Sequence, residues 1–172
     1  DNPCVCPLVN GEPDLYLAWG PQSANLAQEY LGIDPSKIIK FGAAQFEVYK
    51  NIPKINRLEF CKINQINPKN KIILYAGSNH NTDEFSHLKA LENIIKKGYI
   101  KKATILYRPH PWGGGGSTGS KILNYDWDHV KIESNMKNYL ENIEKIGYHL
   151  SFPSYEDTNV VLNSVDCVIS PL

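Results

Sequence analysis

The distribution of apolar residues divides the second part of the chain into short strands and helices. From Lys71 onward, continuous apolar runs alternate with segments whose apolar residues recur every three or four positions. Strands are predicted at residues 72–76, 103–107, 129–133 and 167–169, and helices at 81–98, at 136–147 and from 157 or 158 onward. Because strands that alternate with helices favour a parallel sheet, this part is predicted to be a doubly wound, Rossmann-like α/β domain.

The N-terminal part shows a shorter version of the same pattern. A strand is predicted at residues 15–19, followed by a helix that Ser23 caps and Gly32 ends, and a second strand at 38–41. A strand, a helix and a strand within so short a stretch form a βαβ-like unit. The spacing of Asn81 and Glu84 in the second part is that of a capping box at a helix start.

A change in composition separates these two parts. Residues 49–70 are rich in Lys, Asn, Pro and isolated Ile and have no clean periodicity, so they are predicted to be a linker. Residues 1–14 carry prolines without periodicity and are expected to be irregular. The predicted organisation is therefore a first segment at 1–48, a linker at 49–70 and a domain at 71–172.

Composition and charge narrow the functional classes. The 172 residues carry 18 basic and 18 acidic side chains, so a broad nucleic-acid surface is not expected and any anion site must be local. No apolar run approaches the roughly 18 residues of a membrane helix, and no leader pattern is seen, so we expect a cytoplasmic protein. The scattered cysteines do not have zinc-site spacing, and free thiols are expected.

Polar and charged residues follow the predicted strands of the second part. Arg108 and His110, the latter between two prolines, end one strand, and only one other Arg, Arg57, occurs in the chain. Ligands of open parallel sheets bind outside the carboxyl ends of the strands. We therefore predict a phosphate or diphosphate site, with Arg as a planar donor and His as a hydrogen-bond donor. Its candidate residues are Gly77, Ser78, His80, Arg108, His110 and Ser170.

Plainer interpretations of these residues stay open. Gly77-Ser78 also suits a simple tight turn, and His80 and His87 also suit solvated surface positions. The two histidines are seven residues apart without a third ligand, so no metal site is predicted. The glycine run at 113–116 does not match a dinucleotide-binding loop, because no helix is predicted directly after it.

Several short motifs together resemble one family of enzymes. They are Trp19-Gly20, Leu31-Gly32-Ile33, Phe41-Gly42-Ala43-Ala44, Leu74-Tyr75-Ala76-Gly77-Ser78, Tyr107-Arg108-Pro109-His110-Pro111 and Asp166-Cys167-Val168-Ile169-Ser170-Pro171. The chain resembles bacterial surface-polysaccharide transferases of the GT-B fold, which include the CDP-glycerol glycerophosphotransferases and the capsule and sialic-acid transferases. The resemblance implies the end of an N-terminal lobe followed by a C-terminal, nucleotide-donor-binding lobe.

The resemblance also implies roles for individual residues. The histidine of the His-Pro motif, His110 here, contacts the donor phosphate in such transferases, and so does the hydroxyl-rich turn that begins at Ser170. The Ser/Thr pair and the acidic helix that usually follow are missing, as are the acceptor site and the general base. The chain is thus expected to be a fragment or a half-enzyme, inactive by itself.

The expected activity is transfer of a glycosyl or polyol-phosphate group from a nucleotide-activated donor to a surface polysaccharide. The expected partners are a nucleotide-sugar or CDP-polyol donor, a glycan or lipid-linked acceptor and a missing lobe or partner subunit, without nucleic acid. No separate cofactor and no catalytic residue are assigned, and the inner face of the membrane is an alternative location. Two alternatives are a sugar-nucleotide epimerase of the same fold and a non-catalytic nucleotide-sugar-binding half that needs a partner lobe.

Overall fold

The computed structural model describes residues 11, 13–78, 82–110, 117–138 and 154–171. The chain divides into two compact units, Asp1–Asn51 and Ile52–Leu172.

The first unit contains a two-stranded parallel sheet and one α-helix. Strand β1 (Tyr16–Ala18) pairs with β2 (Ile38–Lys40), and helix α1 (Pro21–Leu31) connects them. Short 3-10 helices lie directly before β2, at Pro35–Lys37, and after it, at Ala44–Lys50. Helix α1 begins at a proline and ends at Gly32, whose φ of 66° is in the left-handed region that favours glycine. The predicted βαβ-like unit is confirmed.

The second unit is a four-stranded parallel sheet with helices. Its elements are α2 (Arg57–Ile63), β3 (Lys71–Ala76), α3 (Glu84–Lys96), β4 (Ala103–Arg108), α4 (Ser117–Asn124), β5 (Val130–Ile132), a helical segment α5 (residues 134–138), α6 (Tyr155–Ser164) and β6 (Cys167–Ile169). The strand order is β5-β4-β3-β6, and every pair is parallel. The prediction of a doubly wound parallel sheet is confirmed.

The sheet of the second unit separates two apolar cores. On the α3 side, Tyr75 and Tyr107 of the sheet pack with Leu88 of the helix. On the opposite side, Leu106 packs with Val161 of α6 and with residues of α2. Because successive side chains of a strand point to opposite faces, the residue after Tyr107, which is Arg108, lies on the α6 side.

A charged cluster lies at the amino ends of β3 and its edge-strand neighbour β6. The Asp166 carboxylate accepts the Ile72 N–H at 2.8 Å and pairs with Arg57 at 2.7 Å and Lys71 at 3.3 Å. Arg57 also donates to the carbonyls of Ser164 and Asn70. The Ile72 N–H and the Arg57 guanidinium together lower the pKa of Asp166 to about 2. This cluster joins α2 to the starts of β3 and β6.

Residues 49–70 differ from the linker that was expected there. They contain α2, and Phe60, Cys61 and Ile66 are buried in the core on the α6 side. Asn56 caps α2 by accepting the Glu59 N–H at 3.0 Å. The first and second units are divided after Asn51, so residues 52–70 are part of the second unit.

Two details at helix starts also differ from the predictions. The capping box at Asn81 and Glu84 is wrong, because α3 begins at Glu84 and is capped by Asp83, which accepts the Ser86 N–H at 3.2 Å. The absence of a helix directly after the glycine run is wrong as well, because α4 begins at Ser117. The helix predicted at 136–147 lies within the described residues only as far as 138.

Candidate functional site

The carboxyl ends of β3 and β4 meet directly. Ala76 pairs with Arg108, and the next N–H, that of Gly77, donates to the Arg108 carbonyl at 2.8 Å. A Cβ placed on Gly77 would lie 2.9 Å from the His110 nitrogen and 3.0 Å from the Pro109 Cα. Only glycine therefore lets the two strand ends approach this closely.

Glu84 supports the same edge from the α3 side. Its carboxylate is buried, with 5% of the residue exposed, and accepts the Ser78 N–H at 2.5 Å and the Tyr107 hydroxyl. Burial of the Tyr107 hydroxyl is the larger cause that raises its pKa, and the hydrogen bond to Glu84 is the second. Sequence reasoning gave Glu84 only a helix-capping role. The signal that could have indicated a further role is an acidic residue, Glu84, seven positions after the glycine that follows β3.

Arg108 extends to the other face of the sheet, towards α6. Its Nη2 donates to the Thr158 hydroxyl at 3.0 Å, in the first turns of a helix that Ser154 caps. The Nη1 of Arg108 is buried and has no hydrogen-bond partner among the described residues. A buried guanidinium nitrogen without an acceptor is costly, and an anionic oxygen is the group that satisfies it best.

The remaining candidates have different positions. Tyr75 of β3 pairs with Ile169 of β6, so Ser170 lies at the same sheet edge, where it is exposed and its hydroxyl donates to the Pro171 carbonyl at 3.3 Å. His110 is half-buried and directly beside Gly77. His80 lies outside the described residues. Gly77, Ser78, Arg108 and His110 thus come together at adjoining strand ends, and Ser170 lies at the same edge.

His87 has a structural explanation. Its Nδ1 is 2.9 Å from the Tyr75 hydroxyl, and the two rings are in tilted contact. Burial raises the pKa of Tyr75 to about 12, with a smaller contribution from the charge of Glu84. The described part of the chain contains no group of three or more His, Cys, Asp or Glu side chains that could hold a metal ion.

A cavity of about 530 Å³ lies on the α6 side of the sheet. Apolar side chains of α2 and α6 form part of its wall, including Phe60, Val160 and Val161. Glu133, which directly follows β5, is one of the polar residues that line the cavity. Its carboxylate accepts the N–H groups of Asn135 and Met136. Ser154 and Asp157 bring the first turn of α6 to the same cavity, and Thr158 in that helix contacts Arg108. Asp157, which lines the cavity, is thus the neighbour in α6 of the residue that Arg108 contacts.

The fold resembles that of a polymerase of known structure. Two variants of the wall teichoic acid polymerase TagF, with histidine replaced by asparagine or by alanine, match with TM-scores of 0.51 and 0.52 at 18% sequence identity. The parent structure of TagF matches with a TM-score of 0.48 at 17% identity. These matches cover 91% of this chain and 34% of the TagF chains, so the chain spans about a third of their length.

At this level of identity the likeness establishes the fold. No protein-family model and no curated protein matches the sequence. In the part of the chain that the structure describes, no helix has both the length and the apolar character needed to cross a membrane.

Proposed function

We propose that this chain is the donor-binding part of a transferase that moves a glycosyl or polyol-phosphate group from a nucleotide-activated donor to a surface polymer. One observation carries the proposal. Arg108 and His110, a guanidinium and an imidazole, lie on a single strand end that packs directly on the Gly77-Ser78 loop of the neighbouring strand. This is the edge of a parallel sheet where ligands bind.

The structural likeness supports a coarse version of this proposal. TagF is a wall teichoic acid polymerase, and two of its structures share the fold of this chain. We infer a surface polymer as the acceptor class and a nucleotide-activated glycosyl or polyol phosphate as the donor class. Proteins of the same fold can catalyse different reactions, so the reaction is inferred from the site residues.

The site residues suit the phosphate end of such a donor. In a displacement reaction the nucleotide leaves with negative charge on its phosphate, which the Arg108 fork and a His110 N–H would stabilise. We propose that Gly77 acts through close backbone packing and that Ser78 and Ser170 offer hydroxyls. His80 remains a proposed contact from the same loop. The acceptor hydroxyl needs a base, for which this chain provides no assignment.

The cavity beside α6 suits the nucleoside part of the donor. Its volume of about 530 Å³ falls within the size range of small-molecule sites, and it combines apolar walls with a few polar groups. Arg108 contacts the helix that forms part of its wall. A nucleoside in the cavity therefore leaves its phosphate near the guanidinium.

Nucleotide titration tests the proposal. CMP, CDP, UMP and UDP are titrated into the protein and followed by calorimetry and by NMR of Arg and His side chains. We expect His110→Ala and Arg108→Ala each to weaken binding by about 1–3 kcal/mol, the value of a charge-assisted hydrogen bond. Arg57→Lys, at the amino end of the sheet, is the control and should bind normally. Absence of binding by the wild-type chain and by a longer protein containing it would contradict the proposal.

A second candidate is a non-catalytic nucleotide-binding half that needs a partner lobe. The observation that favours it is an uncovered apolar face of the first unit, where Leu17 and Ile39 are paired across the two strands and are 54% and 44% exposed. Leu15, Trp19 and Phe41 are exposed in the same unit. Parallel sheets are normally covered on both faces, so a further layer is expected on this one.

This candidate makes a distinct prediction. Nucleotide binding should occur without turnover, even when donor and acceptor are both supplied. Leu17→Lys combined with Ile39→Lys should abolish association with a complementary lobe and leave nucleotide affinity unchanged. Turnover by the chain alone would exclude this candidate.

A further inference from the structure

Glu84 is a buried carboxylate at the candidate site that the proposed function does not use. It is the first residue of α3, and it is 5% exposed. Its two oxygens bind different elements: one accepts the Ser78 N–H from the loop after β3, and the other accepts the Tyr107 hydroxyl from β4. One side chain therefore links the loop, the helix and the neighbouring strand.

Glu84 also acts on His110 through Gly77. The position of a Cβ on Gly77 lies 2.8 Å from Glu84 Oε1 and 2.9 Å from the His110 nitrogen. Gly77 is thus enclosed between the carboxylate and the backbone that carries the imidazole. Because atoms packed this closely cannot move independently of one another, we expect a change at Glu84 to displace His110.

The carboxylate occupies the place where a phosphate would otherwise bind to this loop. The start of a helix and the N–H groups of a preceding loop attract anions. Here the Ser78 N–H is bound to Glu84, and the Ser86 N–H in the first turn of α3 is bound to Asp83. A phosphate at this point would face two carboxylates. Arg108, by contrast, lies on the opposite face of the sheet with a buried nitrogen that no described residue accepts from.

We propose that Glu84 is a positioning and selectivity residue, which holds the Ser78 loop against His110 and fills the anion position at α3, so that the donor phosphate binds on the Arg108 side. This inference rests on the proposed function for the identity of the ligand. The positioning role itself can be measured without any ligand.

Two substitutions separate geometry from charge. In Glu84→Gln the amide oxygen can still accept the Ser78 N–H, and the amide nitrogen can donate to the Tyr107 oxygen, so the loop is retained while the charge is lost. In Glu84→Ala both bonds are lost. Glu92→Gln is the matched control, because Glu92 is a second buried carboxylate of α3 that accepts two N–H groups, from Asp128 and His129 at 2.8 and 2.9 Å.

The experiment follows the Ser78 amide and the His110 and Arg108 side chains by NMR, first in the free proteins and then during titration with pyrophosphate and CMP. In the wild type we expect Arg108 and His110 signals to move on titration, while the Ser78 amide keeps its hydrogen bond to Glu84 and its slow exchange with solvent. In Glu84→Gln the Ser78 amide should respond to pyrophosphate, with affinity raised about threefold or more because a nearby like charge is gone. In Glu84→Ala the Ser78 and His110 signals should be displaced before ligand is added, with CMP affinity reduced about tenfold.

The outcomes are distinct. A wild-type Ser78 amide that loses its hydrogen bond to Glu84 when pyrophosphate binds, seen as faster exchange with solvent, would overturn the selectivity role. Free-protein Ser78 and His110 signals that are unchanged in both Glu84 variants, as in Glu92→Gln, would overturn the positioning role. If neither the wild-type chain nor a longer protein containing it binds either ligand, the proposed function fails, while the free-protein spectra still decide the positioning role. If Glu84→Ala does not fold, Glu84→Gln alone decides the selectivity role. The positioning role is then overturned if, before any ligand is added, the Ser78 amide of Glu84→Gln no longer donates to the side chain at position 84.

Discussion

Replacement of Gly77 by Ala places a methyl group at the most tightly packed point of the site. The added Cβ would lie 2.8 Å from Glu84 Oε1, 2.9 Å from the His110 nitrogen and 3.0 Å from the Pro109 Cα. Two of these three neighbours are backbone atoms. The third is a carboxylate held by two hydrogen bonds, so it cannot simply rotate away.

The magnitude follows from two opposing effects. Overpacking of this kind typically costs about 1–3 kcal/mol. Loss of glycine flexibility in the unfolded chain returns about 0.4–1 kcal/mol. We therefore expect Gly77→Ala to reduce the free energy of unfolding by about 1–2 kcal/mol. Because relief of the clash must move His110, nucleotide affinity should fall together with stability, by about tenfold.

Urea unfolding followed by circular dichroism, together with calorimetric nucleotide titration, measures both effects. With a slope of about 2 kcal/mol per molar urea, the midpoint should fall by about 0.5–1 M. Gly20→Ala is the control, because a Cβ there meets nothing within 4 Å and the backbone φ of −176° suits any residue. An unchanged midpoint and affinity in Gly77→Ala would refute the close contact of the two strand ends.

Three further outcomes are expected. Asp166→Asn should cost about 1–2 kcal/mol at pH 7, measured by urea unfolding, because Asp166 is partly exposed and its pKa of about 2 reflects strong bonds in the folded state. In the wild type this stabilisation is present above about pH 4 and is lost as the pH falls towards 2, so the difference between wild type and variant should vanish there. Arg108→Lys keeps the charge and loses the planar fork, so calorimetry should show nucleotide binding weakened about fivefold, whereas Arg57→Lys should lower only stability. A thiol reagent should modify exposed Cys167 at once and Cys61, whose pKa burial raises, only on unfolding.

The strands of the second unit could be predicted because buried strands appear in the sequence as continuous apolar runs. The run at 72–76 corresponds to β3, observed at Lys71–Ala76, and the run at 103–107 corresponds to β4. Strands covered on both faces read as uninterrupted apolar segments. The parallel arrangement then brought Gly77, Ser78, Arg108 and His110 to one edge, which the structure shows as direct contact. Their role in donor binding stays a prediction.

Helix α2 could not be predicted for a physical reason. It has seven residues, and Phe60 and Cys61 are buried as consecutive positions, so no three-to-four-residue periodicity develops. Its stability comes from long-range contacts, chiefly Arg57 with the residues that precede β3 and β6. The contacts of Arg57 with Ser164 and Asp166 join residues 107 and 109 positions apart, so they leave no pattern in the local sequence.

Glu84 was missed because the sequence offers two acidic residues at one helix start. Asp83 has the shorter side chain and caps the helix, which leaves Glu84 one position later and long enough to reach back to the loop. A capping role and a buried supporting role therefore have nearly the same sequence pattern. The hydrogen bond from the Ser78 N–H to Glu84 distinguishes them.

Alternation along β4 determines how charge is distributed across the candidate site. Tyr107 faces α3 and binds the carboxylate of Glu84, whereas the next residue, Arg108, faces α6 and binds Thr158. Adjacent residues of a strand point to opposite faces, so Glu84 and Arg108 are kept on opposite sides of the sheet. If both lay on one side, Glu84 and Arg108 could neutralise each other as a buried ion pair, and the guanidinium would then have little left to offer a phosphate. The separation by one residue therefore keeps a supporting carboxylate close to His110 while Arg108 remains available to an anionic ligand.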